Sequence, residues 1–430
     1  MRLKLHWQIL ITLILAISLA IFIRLWNLEE SSFTTCIITC CEIVGKLFMN
    51  ALKMVVVPLI VSSIICGIMG FGSKQDFGRI GLKTFLFYAV TGIIAVLIGL
   101  FLVNVIQPGI VSEEVARKIL GKGDVSVAFV NKLTHSDVKS FQTIFMNLIP
   151  SNIIAAASDN GKMLGLIMFS LLFGFFIGKL PERLRASQED LWEGIQKVMM
   201  GITHVIIQLA PIGVFGLIMP VVLRAGTDLI GPIMVFSLTV IAGLMIHFFV
   251  ALWLMLRFFG RIKPWEHYKA MAPVLLMAFS TASTASTLPF MMERVGSVSG
   301  VSQKTVNFTL PLGASVNMNG TALYECVVVL FIAQLYGVVH GISFGLGDQL
   351  TVVLLALLTS VGIGGIPASG LVAITIILGA VGLPLESVGV IWVVERILDM
   401  CRTTVNVFSD TCAAVIIART EGEKTHYTNV

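Results

Sequence analysis

Long apolar runs separated by short polar segments dominate this chain and determine its predicted architecture. A helix needs roughly 17 to 25 mostly apolar residues to cross a bilayer. Eight runs reach this length: Trp7–Trp26, Ile37–Phe71, Leu82–Ile106, Met163–Leu180, Trp192–Leu223, Ile230–Phe259, Val306–Tyr336 and Val388–Ala418. The pattern therefore predicts an all-α membrane protein with eight transmembrane helices.

Two more segments are apolar at both ends and polar in the middle, so neither fits a simple span. Tyr268–Arg294 contains the polar run Ser280–Thr287, and Gly347–Leu385 contains the glycine-rich run Ser360–Gly370. Each apolar arm is too short to cross the bilayer alone. Non-helical backbone at membrane depth is tolerated only where protein or water satisfies it. We predict two re-entrant helical hairpins with non-helical tips.

Basic residues in the loops predict the topology, because an excess of Lys and Arg marks the cytoplasmic side. They precede the first span and are concentrated in Lys179–Lys197, Arg257–Lys263 and Arg294–Lys304. Both termini are then inside, and the mixed-charge loop Gln107–Lys139, which we expect to be irregular, is outside. The first hairpin starts and ends inside and the second starts and ends outside, and a span with polar residues follows each. Such an inverted repeat is typical of secondary transporters.

The composition agrees with this class. Hydrophobic residues make up 57% of the 430 residues and charged residues only 12%, whereas soluble domains carry about 25% charged residues. The net charge of +5 lies in loops and indicates membrane topology rather than nucleic-acid binding. The seven cysteines show no metal-ligand spacing, so we expect them to pack in the helices. The first run lacks a small-residue cleavage site and is interpreted as a retained span.

The last span carries the most informative polar residues. Glu395, Asp399, Arg402, Asn406 and Asp410 follow one another at intervals of four, three, four and four, which places them on one helix face. A charge at the centre of a bilayer costs roughly 2.5–3.5 kcal/mol on insertion scales, so such residues usually face a cavity. This face is therefore predicted to line a substrate or ion path.

The chemistry of this face suits an acidic guest that also carries an amino group. The Arg402 guanidinium can bind a carboxylate through two parallel hydrogen bonds. Asp399 can bind an ammonium group one turn away, and Asp410 suits a cation. The half-helix N-termini at the hairpin tips suit another carboxylate. The alternative is an internal Asp399–Arg402 ion pair that only ties helices together.

A second polar cluster, Asn317–Thr321, interrupts the seventh span. Unwound backbone at this point would free carbonyl oxygens of the kind that coordinate sodium in transporters. The alternative is a helix that tolerates these residues because their side chains bond to neighbouring helices. Because the last span also carries a polar face, we favour a cation site at Asn317–Thr321 over this alternative.

Seven short runs carry a further signal: Ala278–Thr281, Thr287–Pro289, Leu310–Ala314, Asn317–Met318, Gly320–Tyr324, Gly365–Pro367 and Asp399–Asp410. Together with Leu52–Leu59 and Ile149–Asn152, they resemble the dicarboxylate/amino acid:cation symporter family, the family of glutamate and aspartate transporters. The resemblance covers nearly the whole chain.

The resemblance implies a homotrimer that works as an elevator. The scaffold domain would comprise residues 1–81 (spans 1 and 2) and residues 109–223 (the outer loop and spans 4 and 5). The transport domain would comprise residues 82–108 (span 3) and residues 224–430 (span 6, first hairpin, span 7, second hairpin and span 8). It would slide across the bilayer as a unit, with the second hairpin as the outer gate.

The resemblance also implies site residues. The substrate contacts fall on Ser283, Thr284, Thr321, Gly365, Asp399, Arg402, Thr403 and Asn406. The first sodium site falls on Gly313, Asn317, Asn406 and Asp410, and the second on backbone oxygens of Ser315, Ser360, Val361 and Ile363.

A third sodium site of the family departs from its pattern here. Asn319 stands where the family has a carboxylate, and Gly92 stands where it has a hydroxyl, although Tyr88 and Thr91 are present. Loss of one negative charge weakens a monovalent cation site. We therefore expect this third site not to bind sodium.

Two other positions bear on coupling and affinity. Glu325 lies where proton-coupled members similar to the animal transporters have a glutamate, and a carboxyl group inside the membrane can carry a proton. The alternative is a structural Glu325 bonded to a neighbour. The family usually has an arginine at the position of either Ala282 or Met400, and neither is an arginine here.

These observations predict a symporter of glutamate and aspartate, without a cofactor, driven by protons, sodium or both, in a bacterial cytoplasmic membrane. The closest alternative is a carrier of C4-dicarboxylates such as succinate, fumarate or malate. A neutral amino acid carrier is disfavoured because Arg402 would be a buried charge without its partner. An intramembrane hydrolase is disfavoured because no His or Lys is placed to activate a serine, and a channel alone would not accumulate its solute.

Overall fold

The computed structural model describes residues 5–26, 31–69, 75–120, 149–157, 163–341, 344–362 and 369–427. These residues are mostly helical and include no β-strand, so the predicted all-α class is confirmed. The helices are α1 (Leu5–Leu25), α2 (Ser32–Met69), α3 (Gln75–Ile106), α4 (Glu113–Leu120), α5 (Ile153–Ala157), α6 (Met163–Ile177), α7 (Glu182–Gln208), α8 (Ala210–Ala225), α9 (Ile230–Ile246), α10 (Leu252–Phe258), α11 (Pro264–Thr281), α12 (Thr284–Ser297), α13 (Gln303–Val316), α14 (Asn319–His340), α15 (Leu346–Gly362), α16 (Ser369–Val381) and α17 (Trp392–Thr420).

Within these ranges, four helical stretches are long and apolar enough to cross a bilayer: Ser32–Ala51, Arg79–Ile106, Ile230–Phe258 and Gln303–His340. The bent pair α7 and α8 makes a fifth if it is counted as one span. Shorter apolar helices occur in α1, α2, α6, α15 and α16. The chain is thus a multi-pass membrane protein by composition, and the number of eight spans stays a prediction.

Several predicted spans are divided. The run Trp192–Leu223 bends by 55° between α7 and α8, where Pro211 lies at the start of the second helix and lacks an N–H for the helical ladder. The run Val306–Tyr336 breaks at Asn317 and Met318, between α13 and α14. This break confirms that the amide cluster interrupts the seventh span.

The expectation of an irregular outer loop was wrong for α4. Glu113 and Glu114 occupy its first turn, and Arg117 and Lys118 its last turn, which matches the helix dipole at both ends. Pairs four residues apart, Glu113–Arg117 and Glu114–Lys118, form ion pairs along this short helix. Local charge pairing of this kind stabilises a helix.

The first hairpin tip is shorter than predicted, because most of the polar run Ser280–Thr287 is helical. Between α11 and α12, only Ala282 and Ser283 lie outside a helix. The hydroxyls of Ser280 and Thr281 donate to carbonyls four residues back, at 2.8 and 2.9 Å, so these residues satisfy themselves within the helix. The tip of the second hairpin, including Ile363 and Gly365, lies outside the described residues.

Helices α14 and α17 form the centre of the fold. Every residue from Asn319 to Ala333 is buried, as is every residue from Val405 to Ala418. Helices α3, α9 and α15 pack around them, whereas α1, α2, α6, α7 and α8 pack mainly on one another. The polar residues of α14 and α17 therefore face each other inside protein.

A short segment after α17, residues 421–427, binds back to the helix bundle, and we call it the clasp. Glu421 pairs with Lys83 of α3. The Tyr427 hydroxyl lies 2.8 Å from Nδ1 of the buried His267 in α11. The clasp thereby connects α3, α11 and the end of α17.

Candidate substrate and cation site

The break between α13 and α14 faces the middle of α17. Asn317 lies in a non-helical conformation, with φ −92° and ψ 70°, and Met318 has φ −101° and ψ 51°. The Asn317 amide donates to Oδ1 of Asp410 at 2.8 Å and to the Ser409 hydroxyl at 3.0 Å. The Asn319 amide donates to the same hydroxyl at 2.8 Å. The interrupted helix and the last helix are thus joined by one buried polar network.

Two oxygens of this network have no hydrogen-bond partner among the described residues: Oδ2 of Asp410 and Oδ1 of Asn317. Both residues are at most 1% exposed. Gly313 packs directly against Asp410 and Tyr88, since a Cβ there would lie 2.8 Å from Cγ of Asp410 and 2.7 Å from the Tyr88 hydroxyl. A buried carboxylate oxygen without a donor is costly unless a cation balances it. Gly313, Asn317 and Asp410 therefore form a candidate cation site with oxygen ligands.

The residues predicted for a third sodium site also meet, but with different chemistry. A Cβ on Gly92 would lie 3.4 Å from Oδ1 of Asn319, so these positions face each other across α3 and α14. The Thr91 hydroxyl donates to the Phe87 carbonyl at 2.8 Å, and the Tyr88 hydroxyl donates to the Thr309 carbonyl at 2.8 Å. Both hydroxyls are engaged with backbone, and the position of the family's carboxylate carries a neutral amide.

Asn406 connects α17 to the first turn of α14. Its carbonyl oxygen accepts a bond from the Gly320 N–H at 2.7 Å, and its amide donates to the Thr321 hydroxyl at 2.9 Å. Gly320 is packed so closely that a Cβ would lie 2.7 Å from the Arg402 carbonyl. The structure therefore brings together Thr321 and Asn406, two of the residues predicted to contact substrate. A third, Thr403, is buried on α17 one turn before Asn406.

Among the residues that the structure describes, Arg402 is the largest fully buried side chain. Its Nη2 lies 2.9 Å from Oε1 of Glu395 and 2.9 Å from Oδ1 of Asp399. Its Cζ lies 4.6 Å from the ring centroid of Tyr324, whose hydroxyl also bonds to Glu395. The expectation that Arg402 lacks a partner without an acidic guest was wrong, because two carboxylates of its own helix pair with it.

One guanidinium nitrogen, Nη1 of Arg402, has no hydrogen-bond partner in the described part of the chain. It lies against Gly370 at the start of α16, where any Cβ would overlap the guanidinium. At this point α16 thus covers Arg402 with backbone only. Arg402 therefore forms ion pairs within its own helix and still has one nitrogen, Nη1, that can donate a hydrogen bond to a substrate.

Glu325 is fully buried one turn beyond Thr321 in α14. Its Oε2 lies 2.9 Å from the Thr359 hydroxyl of α15, and its Oε1 has no partner among the described residues. The same hydroxyl lies 2.8 Å from the Leu355 carbonyl, and it has only one hydrogen to donate. A protonated Glu325 can donate to Thr359, which then donates to Leu355, so protonation satisfies the whole chain of bonds.

The first hairpin contributes a helix N-terminus. Ala282 has a left-handed backbone, with φ +48°, and Ser283 caps α12 by accepting a bond from the Ser286 N–H at 3.2 Å. Thr284 is the first helical residue and is buried. Predicted substrate residues Ser283 and Thr284 therefore lie where a helix dipole favours an anion.

The second predicted sodium site is only partly described. Ser315 lies in the last turn of α13, and Ser360 and Val361 lie in the last turn of α15. The last carbonyls of a helix have no intrahelical partners, and α13 packs on α15. Ile363, like Gly365 of the substrate set, lies outside the described residues.

Sequence reasoning missed four contributors: Tyr324, Ser409 and Gly370 entirely, and Glu395 as a partner of Arg402. Glu395 could have been found, since it lies on the polar face of α17 two turns before Arg402. Tyr324 looks like an ordinary packing residue in an apolar helix, and Gly370 looks like an ordinary hairpin glycine. Their roles depend on contacts between helices that no spacing reveals.

Comparison with known proteins shows which family the chain resembles over nearly its whole length. A family model described as "Sodium:dicarboxylate symporter family" matches residues 5–420. The chain is 32% identical over 422 residues to the proton/glutamate-aspartate symporter of Escherichia coli (strain K12), covering 98% of this chain and 93% of the relative. It is 33% identical over 423 residues to a proton/sodium-glutamate symport protein of Geobacillus stearothermophilus, covering 98% and 96%. It is 32% identical over 380 residues to a C4-dicarboxylate transport protein of Bacillus subtilis (strain 168), covering 88% and 87%.

Proposed function

Because the chain belongs to the sodium:dicarboxylate symporter family, we propose that it takes up glutamate and aspartate together with protons, sodium ions or both. Membership makes the chain a transporter rather than an enzyme. The observation that carries the choice of substrate is the buried Arg402, with Asp399 one turn away on α17. Arg402 offers Nη1 to a second acid group, and Asp399 offers a carboxylate to an ammonium group.

Charge balance in the site supports coupling to cations. Glu395 and Asp399 both pair with a single guanidinium, that of Arg402, and Glu325 is a further buried carboxyl group. These four groups, if fully ionised, would carry a net negative charge. An acidic guest adds more negative charge to a buried place, which is costly unless cations enter with it. Protons and sodium ions bound with the substrate remove this cost.

We assign the proton to Glu325. The hydroxyl of Thr359 can satisfy both Glu325 and the Leu355 carbonyl only when the carboxyl group supplies a hydrogen. Sodium is assigned to Gly313, Asn317, Asn406 and Asp410, and to backbone oxygens of Ser315, Ser360, Val361 and Ile363. The unpartnered oxygens of Asp410 and Asn317 support the first of these sites.

For the moving parts, we propose the elevator arrangement. Residues 1–81 and 109–223 form the scaffold, and residues 82–108 and 224–430 form the transport domain, within a homotrimer. The separate packing of α1, α2, α6, α7 and α8 supports this division. The substrate then contacts Ser283, Thr284, Thr321, Gly365, Asp399, Arg402, Thr403 and Asn406. The membrane is a bacterial inner membrane, with both termini in the cytoplasm.

Uptake into proteoliposomes tests the proposal. Purified protein is reconstituted, and uptake of labelled aspartate and glutamate is measured under a sodium gradient alone, a proton gradient alone and both. Accumulation above the external concentration under at least one gradient is expected. Failure to accumulate either amino acid under any gradient refutes the proposal.

The relative from Bacillus subtilis named as a C4-dicarboxylate transport protein favours one other candidate. A carrier of succinate, fumarate or malate would use Arg402 in the same way but would not need Asp399. Competition separates the two: strong inhibition by succinate with none by aspartate would replace the first candidate with the second.

Replacement Glu325→Gln tests the proton assignment. Glutamine keeps the size and hydrogen-bonding capacity of a protonated glutamate but cannot release a proton. We expect substrate exchange to continue while uptake driven by a pH gradient is lost. Uptake with the pH dependence of the unmodified protein would remove Glu325 from the mechanism.

A further inference from the structure

A large apolar crevice opens between α1, α8, α9 and the start of α17. Its volume is about 670 Å³, within the range of roughly 300–1,000 Å³ that small-molecule sites occupy. The lining includes Ile17, Ile21, Val222, Ile233, Met234 and Val393. None of the residues assigned above to the substrate or to a coupling ion is among the residues that line this space.

The crevice opens to the outer surface of the helices. Ile21 is 48% exposed, Leu25 75%, Ile230 58% and Met234 56%. In a membrane-spanning protein, large apolar side chains on the outside of a helix face lipid chains. The contents of the crevice are therefore drawn from the bilayer rather than from water.

One end of the crevice is different. Arg24 is the single charged residue among the lining residues in the part of the chain that the structure describes. It occupies the last turn of α1, two residues before the exposed Trp26. Tryptophan and arginine at the end of an apolar span are typical of the level where lipid headgroups lie.

Gly226 makes room for this arginine. It ends α8 with a positive φ of 56°, and a Cβ at this position would overlap Nη1 of Arg24. The guanidinium therefore packs closely against the Gly226 backbone at the mouth of the crevice. A planar guanidinium matches the oxygens of a phosphate group through paired hydrogen bonds.

We propose that this crevice binds a phospholipid, with one acyl chain along the apolar wall and the phosphodiester on Arg24. The apolar lining fits the chain, and the charge at the mouth complements the phosphate. The alternative is an Arg24 that only balances the negative helix ends of α1 and α8. In that case the phosphate would make no difference to what the crevice holds.

Native mass spectrometry tests the proposal. The full chain is purified and stripped stepwise of lipid, then titrated with phosphatidylglycerol or with a diacylglycerol of the same chains, which lacks the phosphate. Three substitutions are compared: Arg24→Gln at the mouth, Met234→Trp to fill the crevice, and the control Arg224→Gln. Arg224 lies in the last turn of α8 and does not line the crevice.

The proposal predicts a distinct pattern. The unmodified protein and the control retain phosphatidylglycerol more strongly than the diacylglycerol. Arg24→Gln lowers retention of phosphatidylglycerol by roughly five-fold, the effect of about one basic residue on an anionic lipid, and leaves the diacylglycerol unchanged. Met234→Trp lowers retention of both lipids. Equal retention of both lipids by the unmodified protein overturns the phosphate contact.

If Met234→Trp retains as much lipid as the unmodified protein, the lipid binds outside the crevice and the proposal is wrong. This readout does not depend on transport. A protein that accumulates no amino acid can still bind the lipid, so failure of this proposal and failure of the proposed function are distinguishable. Where Arg24→Gln gives no folded protein, Met234→Trp decides alone.

Discussion

Gly370 offers a way to disturb Arg402 without removing its charge. In Gly370→Ala, the new Cβ would lie 2.7 Å from Cζ and 2.8 Å from Nη2 of Arg402, whereas ordinary contacts begin near 3.4 Å. Nη1 lies closer to the new Cβ than either of these atoms, so the guanidinium must retreat by more than about 0.7 Å, or α16 must move away by a similar distance. Both movements change the geometry that an incoming carboxylate meets.

The guanidinium has little room to retreat. Glu395 and Asp399 pair with it at 2.9 Å, and the Tyr324 ring lies 4.6 Å from Cζ. A hydrogen bond to a charged group contributes about 1.5–3 kcal/mol. Loss of one such bond to the guest, taken as about 2 kcal/mol, corresponds to roughly 30-fold weaker binding. We expect Gly370→Ala to weaken aspartate and glutamate binding by about this factor.

Equilibrium binding of labelled aspartate to purified protein measures the effect, with size-exclusion chromatography to check that the variant is folded. The matched control is Gly389→Ala, where the nearest atoms to a new Cβ are 3.9 Å away on Leu217. The control should bind like the unmodified protein. A folded Gly370→Ala variant whose affinity stays within about two-fold of the original would refute the role given to Arg402.

Three further predictions concern the cation site, the hairpin tip and the clasp. Asp410→Asn removes the buried charge of the cation site, and we expect sodium-driven uptake to fall by about ten-fold or more; sodium titration of uptake measures it, and unchanged sodium affinity contradicts the assignment. Ala282→Gly relieves a left-handed backbone that costs roughly 1–2 kcal/mol, so the thermal midpoint should rise, and a lower midpoint contradicts this. Glu421 has its pKa lowered by hydrogen bonds, first from Lys83 and then from Arg79, so its stabilisation is complete above the unfolded pKa near 4.3 and is lost as the pH falls through the folded value. Glu421→Gln should therefore lower the thermal midpoint at pH 7 but not in strong acid, and an equal loss at both contradicts the ion pair.

Two features of the site could be predicted from the sequence: the residues that share one face of α17, and the break at Asn317. Both follow from the periodicity of a single helix, which is a local property. The spacing of Asp399, Arg402, Asn406 and Asp410 places them on one face of α17, and the structure has that face turned inward. The break at Asn317 was also foreseeable, because amides and glycines interrupt an otherwise apolar span. Both inferences need only the geometry of a single helix.

Other features of the site depend on side-chain conformations and on contacts between helices, which helix spacing does not determine. The pairing of Glu395 with Arg402 requires a long side chain to turn back along the helix, which spacing alone does not determine. The helical character of Ser280 and Thr281 follows from hydroxyls that bond within their own helix, whereas the composition of that run favours a loop. The packing of Gly370 on Arg402 joins two helices that are distant in sequence, so it appears only in three dimensions.

The clasp has a mechanical consequence for the protein. Glu421 holds α3 at one point, and Tyr427 holds α11 at another, although the chain between α3 and α11 passes through the helices from α4 to α10. A force that pulls α3 is thereby transmitted to the first hairpin and to the end of α17 without stretching the polypeptide between them. The clasp therefore resists separation of α3 from α11 and from the end of α17, although it comprises only residues 421–427.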